Sequence, residues 1–132
     1  MATYLVDTSV LIDVLNAKRG RDALLRRLLV DGHWLACCGI NVTETFAGMR
    51  PHEQARTEEL LRSLDYYEVT WDIAKLAGLL KRDWARKGVT LSVPDVTVAA
   101  VALAHNLTLI TDNVKHYPMP DLSLMRPSSP SA

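Results

Sequence analysis

Cysteine is nearly missing from this sequence: of 132 residues, only Cys37 and Cys38 carry a thiol. Neighbours in an extended apolar run do not readily bond to each other. The pair therefore reads as reduced core in a cytoplasmic protein, with no disulfide framework behind the fold. Net charge is missing too, because fifteen Lys and Arg cancel fifteen Asp and Glu. No overall basic field announces a nucleic-acid partner, although basic patches around an acidic pocket stay compatible with the balance. A zero balance also favours association with a partner or a second copy. No apolar run approaches the roughly 18 residues that a membrane span needs. Nor is there a charged-then-apolar leader, since Leu5-Val6 meets Asp7 at once. Zinc spacing of Cys and His is absent, and His33, His52, His105 and His116 are scattered.

What is present is an ordinary core. At 48% hydrophobic and 23% charged, the chain has the composition and the length of one globular domain. Tyr4-Leu5-Val6 reads as a buried strand. A helix with Val10, Leu11, Val14 and Leu15 follows, and after Gly20 a second one with Leu24, Leu25, Leu28 and Leu29. Trp34–Cys38 is a second strand, and a helix is expected from Asn41 to about Arg50, where Pro51 interrupts. Leu60, Leu61 and Leu64 mark the next helix. Tyr67–Thr70 reads as a third strand, before a helix facing inward through Ile73, Leu76, Ala77, Leu80 and Trp84 and stopped at Gly88. Val96–Ala104 is apolar on every side, hence a buried helix ending at Asn106. Leu107–Thr111 is a fourth strand and Leu122–Leu124 a fifth. Strands alternating with helices predict an α/β fold on a parallel sheet of four to five strands, with the ligand site beyond the strands' C-terminal ends.

Four carboxylates fall at such ends. Asp7 closes the first strand, and Glu44 is expected in the first turn after the second. Asp95 opens the buried helix, and Asp112 follows the fourth strand. Each has a structural explanation of its own. Asp7 fits a helix N-cap. Asn41-Val-Thr-Glu44 and Ser92-Val-Pro-Asp95 fit capping boxes. Asp112-Asn113 fits a turn. Asp7, Glu44 and Asp112 should nonetheless share one sheet edge, and Asp95 joins them if its helix begins there. Carboxylates packed together resist ionisation unless a cation offsets them. Oxygen donors alone select hard ions such as Mg²⁺ or Mn²⁺. Such an ion activates water and polarises a phosphoryl oxygen, which is the chemistry of phosphodiester hydrolysis.

The quoted residues also form a recognisable series. Tyr4-Leu-Val-Asp-Thr-Ser-Val-Leu-Ile-Asp13 resembles the opening of PIN-domain nucleases, and among them is most similar to VapC-type toxins of bacterial toxin–antitoxin pairs. Asn41-Val-Thr-Glu-Thr-Phe-Ala-Gly48, Pro94-Asp-Val-Thr-Val-Ala-Ala100 and Leu109-Ile-Thr-Asp-Asn-Val-Lys-His-Tyr117 resemble the later motifs, in order, across roughly residues 3 to 120. The resemblance implies a three-layer α/β/α domain, here residues 1–126, with 127–132 a Ser/Pro tail expected to be disordered. It implies a Mg²⁺- or Mn²⁺-dependent endoribonuclease acting on structured RNA such as tRNA or ribosomal RNA. It further implies a homodimer silenced by a cognate antitoxin. Asp7, Glu44 and Asp95 match the family's acidic metal ligands. Asp112 is taken as the fourth, with Asn113 the alternative; some relatives carry an acid where His116 stands. Thr8, Ser9 and Thr111 match small hydroxyl positions beside the acids, and Asp13 reads as a surface or outlying contact.

The stretch Lys18, Arg19, Arg21, Arg26, Arg27 and the nearby Arg50 are candidate phosphate contacts. Lys81, Arg82, Arg86 and Lys87 read as a solvated helix face, and Trp84 as core. Two rival enzyme-like readings lack a residue. A phosphate-accepting signalling domain needs paired acids after its first strand, where Thr8-Ser9 follows Asp7. An aspartate-nucleophile phosphatase needs an acid two residues after Asp7, where Ser9 stands. A catalytically inactive PIN-like or RNA-binding module remains the alternative.

Overall fold

Alternation of side chains along four short apolar runs builds a sheet with two covered faces. A computed structural model of the chain describes residues 1–127. Strands β1 (Thr3–Val6), β2 (Trp34–Cys38), β3 (Asp65–Tyr67), β4 (Thr108–Ile110) and β5 (Ser123–Met125) form one parallel sheet in the order β3-β2-β1-β4-β5. Leu5 pairs with Ala36 on one side and Leu109 on the other. These face a core completed by α5 (Trp71–Arg86) and α6 (Val93–His105). Their neighbours Val6, Leu35, Cys37 and Ile110 point to the opposite core, with α1 (Thr8–Leu15), α2 (Arg21–Val30) and α4 (Gln54–Arg62). The result is the expected three-layer α/β/α arrangement. Helix α3 (Gly39–Gly48) packs on α1, adding Val42 and Phe46 to that second core. No helix among the described residues is long and apolar enough to cross a membrane.

The order places β1 at the centre. The chain lays β2 and β3 on one side of β1, then crosses to put β4 and β5 on the other. That reversal opens a crevice beyond the C-terminal ends of β1 and β4, where ligands bind in open parallel sheets. Asp7 follows β1 there, and its N–H donates to the Ile110 carbonyl of β4 at 2.9 Å.

Several boundaries differ from the sequence reading, most of them by a single residue. The third strand is Asp65–Tyr67, not Tyr67–Thr70, because Thr70 is the N-cap of α5: its Oγ1 accepts from Ile73 N at 3.2 Å. As an edge strand it is half solvated, so an exposed Asp65 and Tyr66 cost it little. Helix α3 begins at Gly39, two residues before the expected Asn41. And Pro127, placed in the tail from sequence, is buried, its carbonyl accepting from Arg21 Nη1 at 2.9 Å. The rest of that expected tail, 128–132, lies outside the described residues.

Candidate active site

The site begins with Asp7, which is both the residue after β1 and the N-cap of α1. Its carboxylate is only 8% exposed. Oδ1 accepts from Thr8 N at 2.9 Å, and Oδ2 accepts from Thr111 Oγ1, just past β4, at 2.6 Å. Burial raises the Asp7 pKa above the usual carboxylate range, the two hydrogen bonds oppose the shift, and the charges of Asp95 and Glu44 add to it. Thr8, bonded to Asp7, also bonds Glu44, and the side chain of Asp95, which opens α6, is reached from the loop after β4 by Tyr117. The sequence had left open whether α6 starts at this sheet edge, and it does.

Glu44 arrives by a different route from the one its spacing suggested. Because α3 starts at Gly39, Glu44 lies in the second turn rather than the first, and no longer caps the helix. Asn41 does the capping instead: fully buried, its Oδ1 accepts from Cys38 N at 2.9 Å. Its Nδ2 donates to Thr8 Oγ1 at 3.3 Å, and Thr8 Oγ1 in turn donates to Glu44 Oε1 at 2.8 Å. A chain of hydrogen bonds thus runs from the end of β2 through Asn41 and Thr8 to the solvent-exposed Glu44. Sequence reasoning cast Asn41 only as a cap. Its complete burial is the signal that was invisible.

Asp95 stands in the first turn of α6, at the positive end of the helix. Ser92 Oγ accepts from Asp95 N at 3.2 Å, and Pro94 occupies the first turn without needing an N–H. Ser92→Ala is expected to cost about 1 kcal/mol in chemical denaturation. Unchanged stability would remove Ser92 from the cap. The Asp95 side chain does not reach back to Ser92. Its Oδ1 accepts from Tyr117 Oη at 3.2 Å, and Oδ2 lies 3.3 Å from His116 Nδ1. Tyr117 and His116 were quoted in the closing motif but given no role.

Asp112 is held differently from the other three. Arg21, 4% exposed, donates from Nη2 to Asp112 Oδ1 at 2.7 Å and sets Nε 3.6 Å from Asp13 Oδ2. Arg19 Nη1 lies 3.8 Å from Asp112 Oδ2. Arg21, expected as a phosphate contact, is therefore a buried ion-pair residue, and Asp13 its outlying partner. Asn113 is exposed and donates its N–H to Thr111 Oγ1 at 2.9 Å. The thiols of Cys37 and Cys38 are buried and free. Burial, then the Cys38 and Asp65 charges, push Cys37 up to about 11, which leaves it unreactive.

Among the described residues, no three of His, Cys, Asp and Glu stand close enough as they are to hold one ion. Glu44 Oε1 accepts from Thr8 Oγ1 and Asp95 Oδ1 from Tyr117 Oη. The donor set itself fits a hard divalent cation. It offers carboxylate oxygens, a buried acid whose charge is disfavoured until offset, and Ser9 Oγ beside it, buried without a partner among the described residues.

An α/β/α sandwich with acids at the crevice where the strand order of its parallel sheet reverses is the arrangement of a PIN domain, and the chain belongs to that family: the PIN-domain model matches residues 4–120. Within it the chain is a member of the VapC ribonucleases. Ribonuclease VapC19 of Mycobacterium tuberculosis is 33% identical over 119 residues, covering 89% of this chain and 95% of its own. Ribonuclease VapC10 of the same organism is 34% identical over 115 residues, covering 87% and 86%. Among solved structures, a toxin–antitoxin complex from Klebsiella pneumoniae superposes with a TM-score of 0.76 at 27% identity, over 94% of this chain and 97% of that one.

Proposed function

We propose that this protein is a divalent-cation-dependent endoribonuclease, the toxin of a toxin–antitoxin pair, that hydrolyses phosphodiester bonds of tRNA or ribosomal RNA. The observation that supports the reading is the hydrogen-bonded edge at the crevice where β1 and β4 end: Thr111 Oγ1 and Thr8 N hold Asp7 there, and Thr8 Oγ1 holds Glu44 beside it. A divalent cation there, Mg²⁺ or Mn²⁺, supplies an activated water and offsets charge on the phosphoryl group. The protein's part is to bind and orient. Asp7, buried, is steered by Thr8 N and Thr111 Oγ1, while Glu44 at the rim is steered by Thr8 Oγ1. Asp95 adds its carboxylate from the start of α6. Asp112 has one oxygen taken by Arg21, and Ser9 and Asn113 are supporting polar residues of the same reading. The exposed Arg19 at this edge is a contact for the RNA backbone.

The partner reading follows the VapC relatives and the likeness of this chain to the toxin–antitoxin complex from Klebsiella pneumoniae. An open groove between α1, α2 and α4, lined by Val14, Leu25, Leu29, Trp34 and Leu60, leaves apolar surface for an antitoxin segment. Pairing with a second copy, as the resemblance implies, belongs to the same reading.

Incubation of the purified protein with total RNA tests it, with the cut ends mapped. Cleavage at a few positions is expected with Mg²⁺ or Mn²⁺ and none in EDTA. Cleavage that EDTA leaves untouched overturns the cation; RNA bound but intact under every ion makes the protein an inactive module.

A further inference from the structure

Exposed arginines are held in two ways here. Arg26, Arg62 and Arg82 each pair with an acid on their own helix, Asp22, Glu58 and Asp83. Pairs of that kind solvate a helix face. Arg50 and Arg56 instead reach across to the end of α1. Arg50 Nη2 donates to Asn16 Oδ1 at 3.0 Å, and Arg56 Nη2 donates to the Leu15 carbonyl at 2.8 Å. Arg50 is steadied further by the buried Glu53, whose carboxylate accepts from Arg50 N at 2.8 Å and Nη2 at 2.9 Å. A guanidinium carries its N–H donors in a rigid planar fork. In both residues a single nitrogen makes the contacts, so the rest of the fork is oriented and free to take an anion.

The chain leaves α1 through Lys18 and Arg19. Ala17, Arg19 and Gly20 have left-handed backbone, with φ of 53°, 58° and 66°. Alanine and arginine are strained there, where glycine is not. The surroundings hold the turn in place: Lys18 N donates to the Asp13 carbonyl at 2.8 Å, and the buried Arg21 ties the turn to Asp112 and the Pro127 carbonyl. Arg19 is thereby set 3.8 Å from both Asp13 and Asp112. Asp112 directly follows Thr111, which holds Asp7. Cations therefore run from the acidic edge, through Arg19 and Lys18, to Arg56 and Arg50 around the far end of α1. That helix has eight residues and is about 12 Å long. A strand of helical nucleic acid advances about 3.4 Å per phosphate, so the run spans about three or four phosphates.

We infer that Lys18, Arg50 and Arg56, continuing from Arg19, form the surface that holds the phosphates of the RNA strand as it leaves the cleavage site. The inference rests on the ribonuclease reading above and extends it from the reacting phosphate to its neighbours. An anchored fork takes a phosphate through two parallel N–H···O bonds without first ordering a loose side chain. Such contacts read no base, so this surface sets the affinity and path of the strand and not its sequence.

The test measures binding apart from chemistry. The full chain, in EDTA so that no cation supports cleavage, is titrated onto a fluorescein-labelled RNA hairpin and followed by anisotropy over a range of KCl concentrations. Each phosphate contact contributes about 0.7 to 0.9 to the slope of log affinity against log salt. Replacing Lys18, Arg50 and Arg56 together by Gln is expected to lower that slope by about two and the affinity by about a hundred-fold. Lys18→Gln alone, which removes no hydrogen bond or ion pair among the described residues, should lower the slope by just under about one. Arg50→Lys with Arg56→Lys keeps the charges and loses the forks, so the slope should stay while affinity falls. Arg82→Gln with Lys87→Gln, at exposed positions toward the end of α5, should change neither. An unchanged slope in both Lys18→Gln and the triple variant overturns the inference; if a poly-glutamate peptide then loses its hold on the triple variant, the surface belongs to an acidic protein segment. Cleavage by the parent with Mg²⁺ or Mn²⁺ is scored separately. A lowered slope without cleavage under any ion supports the surface and sinks the hydrolase instead.

Discussion

Asp7→Asn is expected to abolish RNA cleavage and yet leave the protein at least as stable as its parent in EDTA at neutral pH. Losing a cation's contribution of several kcal/mol to the transition state corresponds to a fall of roughly a thousand-fold or more in rate. The stability half of the expectation comes from the sign of the pKa shift. Asp7 in the folded protein holds its proton more tightly than in the unfolded chain. Its contribution is fully present below the ordinary carboxylate pKa and is lost as pH rises through the raised folded value. At pH 7 the parent therefore carries the cost of a buried charge that Asn does not carry. Asn keeps an acceptor for Thr8 N and presents an N–H to Thr111 Oγ1. Melting temperatures of the two in EDTA should converge below pH 4 and separate in favour of the variant above it. Saturating Mn²⁺ should then raise the parent and not the variant. Asp95→Asn should lose cleavage likewise. Full activity in either purified variant defeats the site, and an Asp7→Asn protein that melts far below its parent at pH 7 makes Asp7 a structural cap.

Arg21→Met should have the largest effect on stability. Arg21 is buried, and its guanidinium binds the Pro127 carbonyl, Asp112 and, more loosely, Asp13. It also sits just after Ala17, Arg19 and Gly20, three residues with left-handed backbone that fold the α1–α2 connection back toward the site. Such residues persist only where the surroundings over-determine them. Methionine fills the space but leaves Asp112 and Asp13 only the looser contacts of the exposed Arg19. A loss of about 3 kcal/mol is expected, roughly 10 °C in Tm for a chain of this length. Adding Asp112→Asn to Arg21→Met should restore part of it, which a double-mutant cycle measures. A loss below about 1 kcal/mol would place the Asp112 pair among ordinary surface ion pairs.

The legible features were those that depend on neighbours in the chain. Apolar runs and apolar faces of period 3.6 marked the order of strands and α-helices, with the third strand placed two residues too late. The motifs around Asp7, Glu44 and Asp95 identified the acids. Boundaries were less legible where two local signals competed. Thr70 served a helix cap rather than a strand, and Asn41 lay inside α3 rather than at its start, because Gly39 and Ile40 already adopt helical geometry after β2. Arg21 looked like one more member of a basic stretch. Only its burial between α1, the residue after β4 and the C-terminal Pro127 makes it an ion-pair centre.

By itself, then, the sequence determined the alternating α/β order, the apolar face that helices would bury, and which acids end strands or open helices. These follow from periodicity and capping, which act over a few residues. Tertiary structure alone decided that α6 begins at the same sheet edge as α1 and α3, bringing Asp95 to Asp7. It also decided that Asp112 belongs to Arg21, and that Tyr117 and His116 divide the oxygens of Asp95 between them. Those contacts join residues 21 to 91 positions apart or are set by how a loop settles on a helix end. No local pattern specifies them: the packing of the two cores against the sheet does.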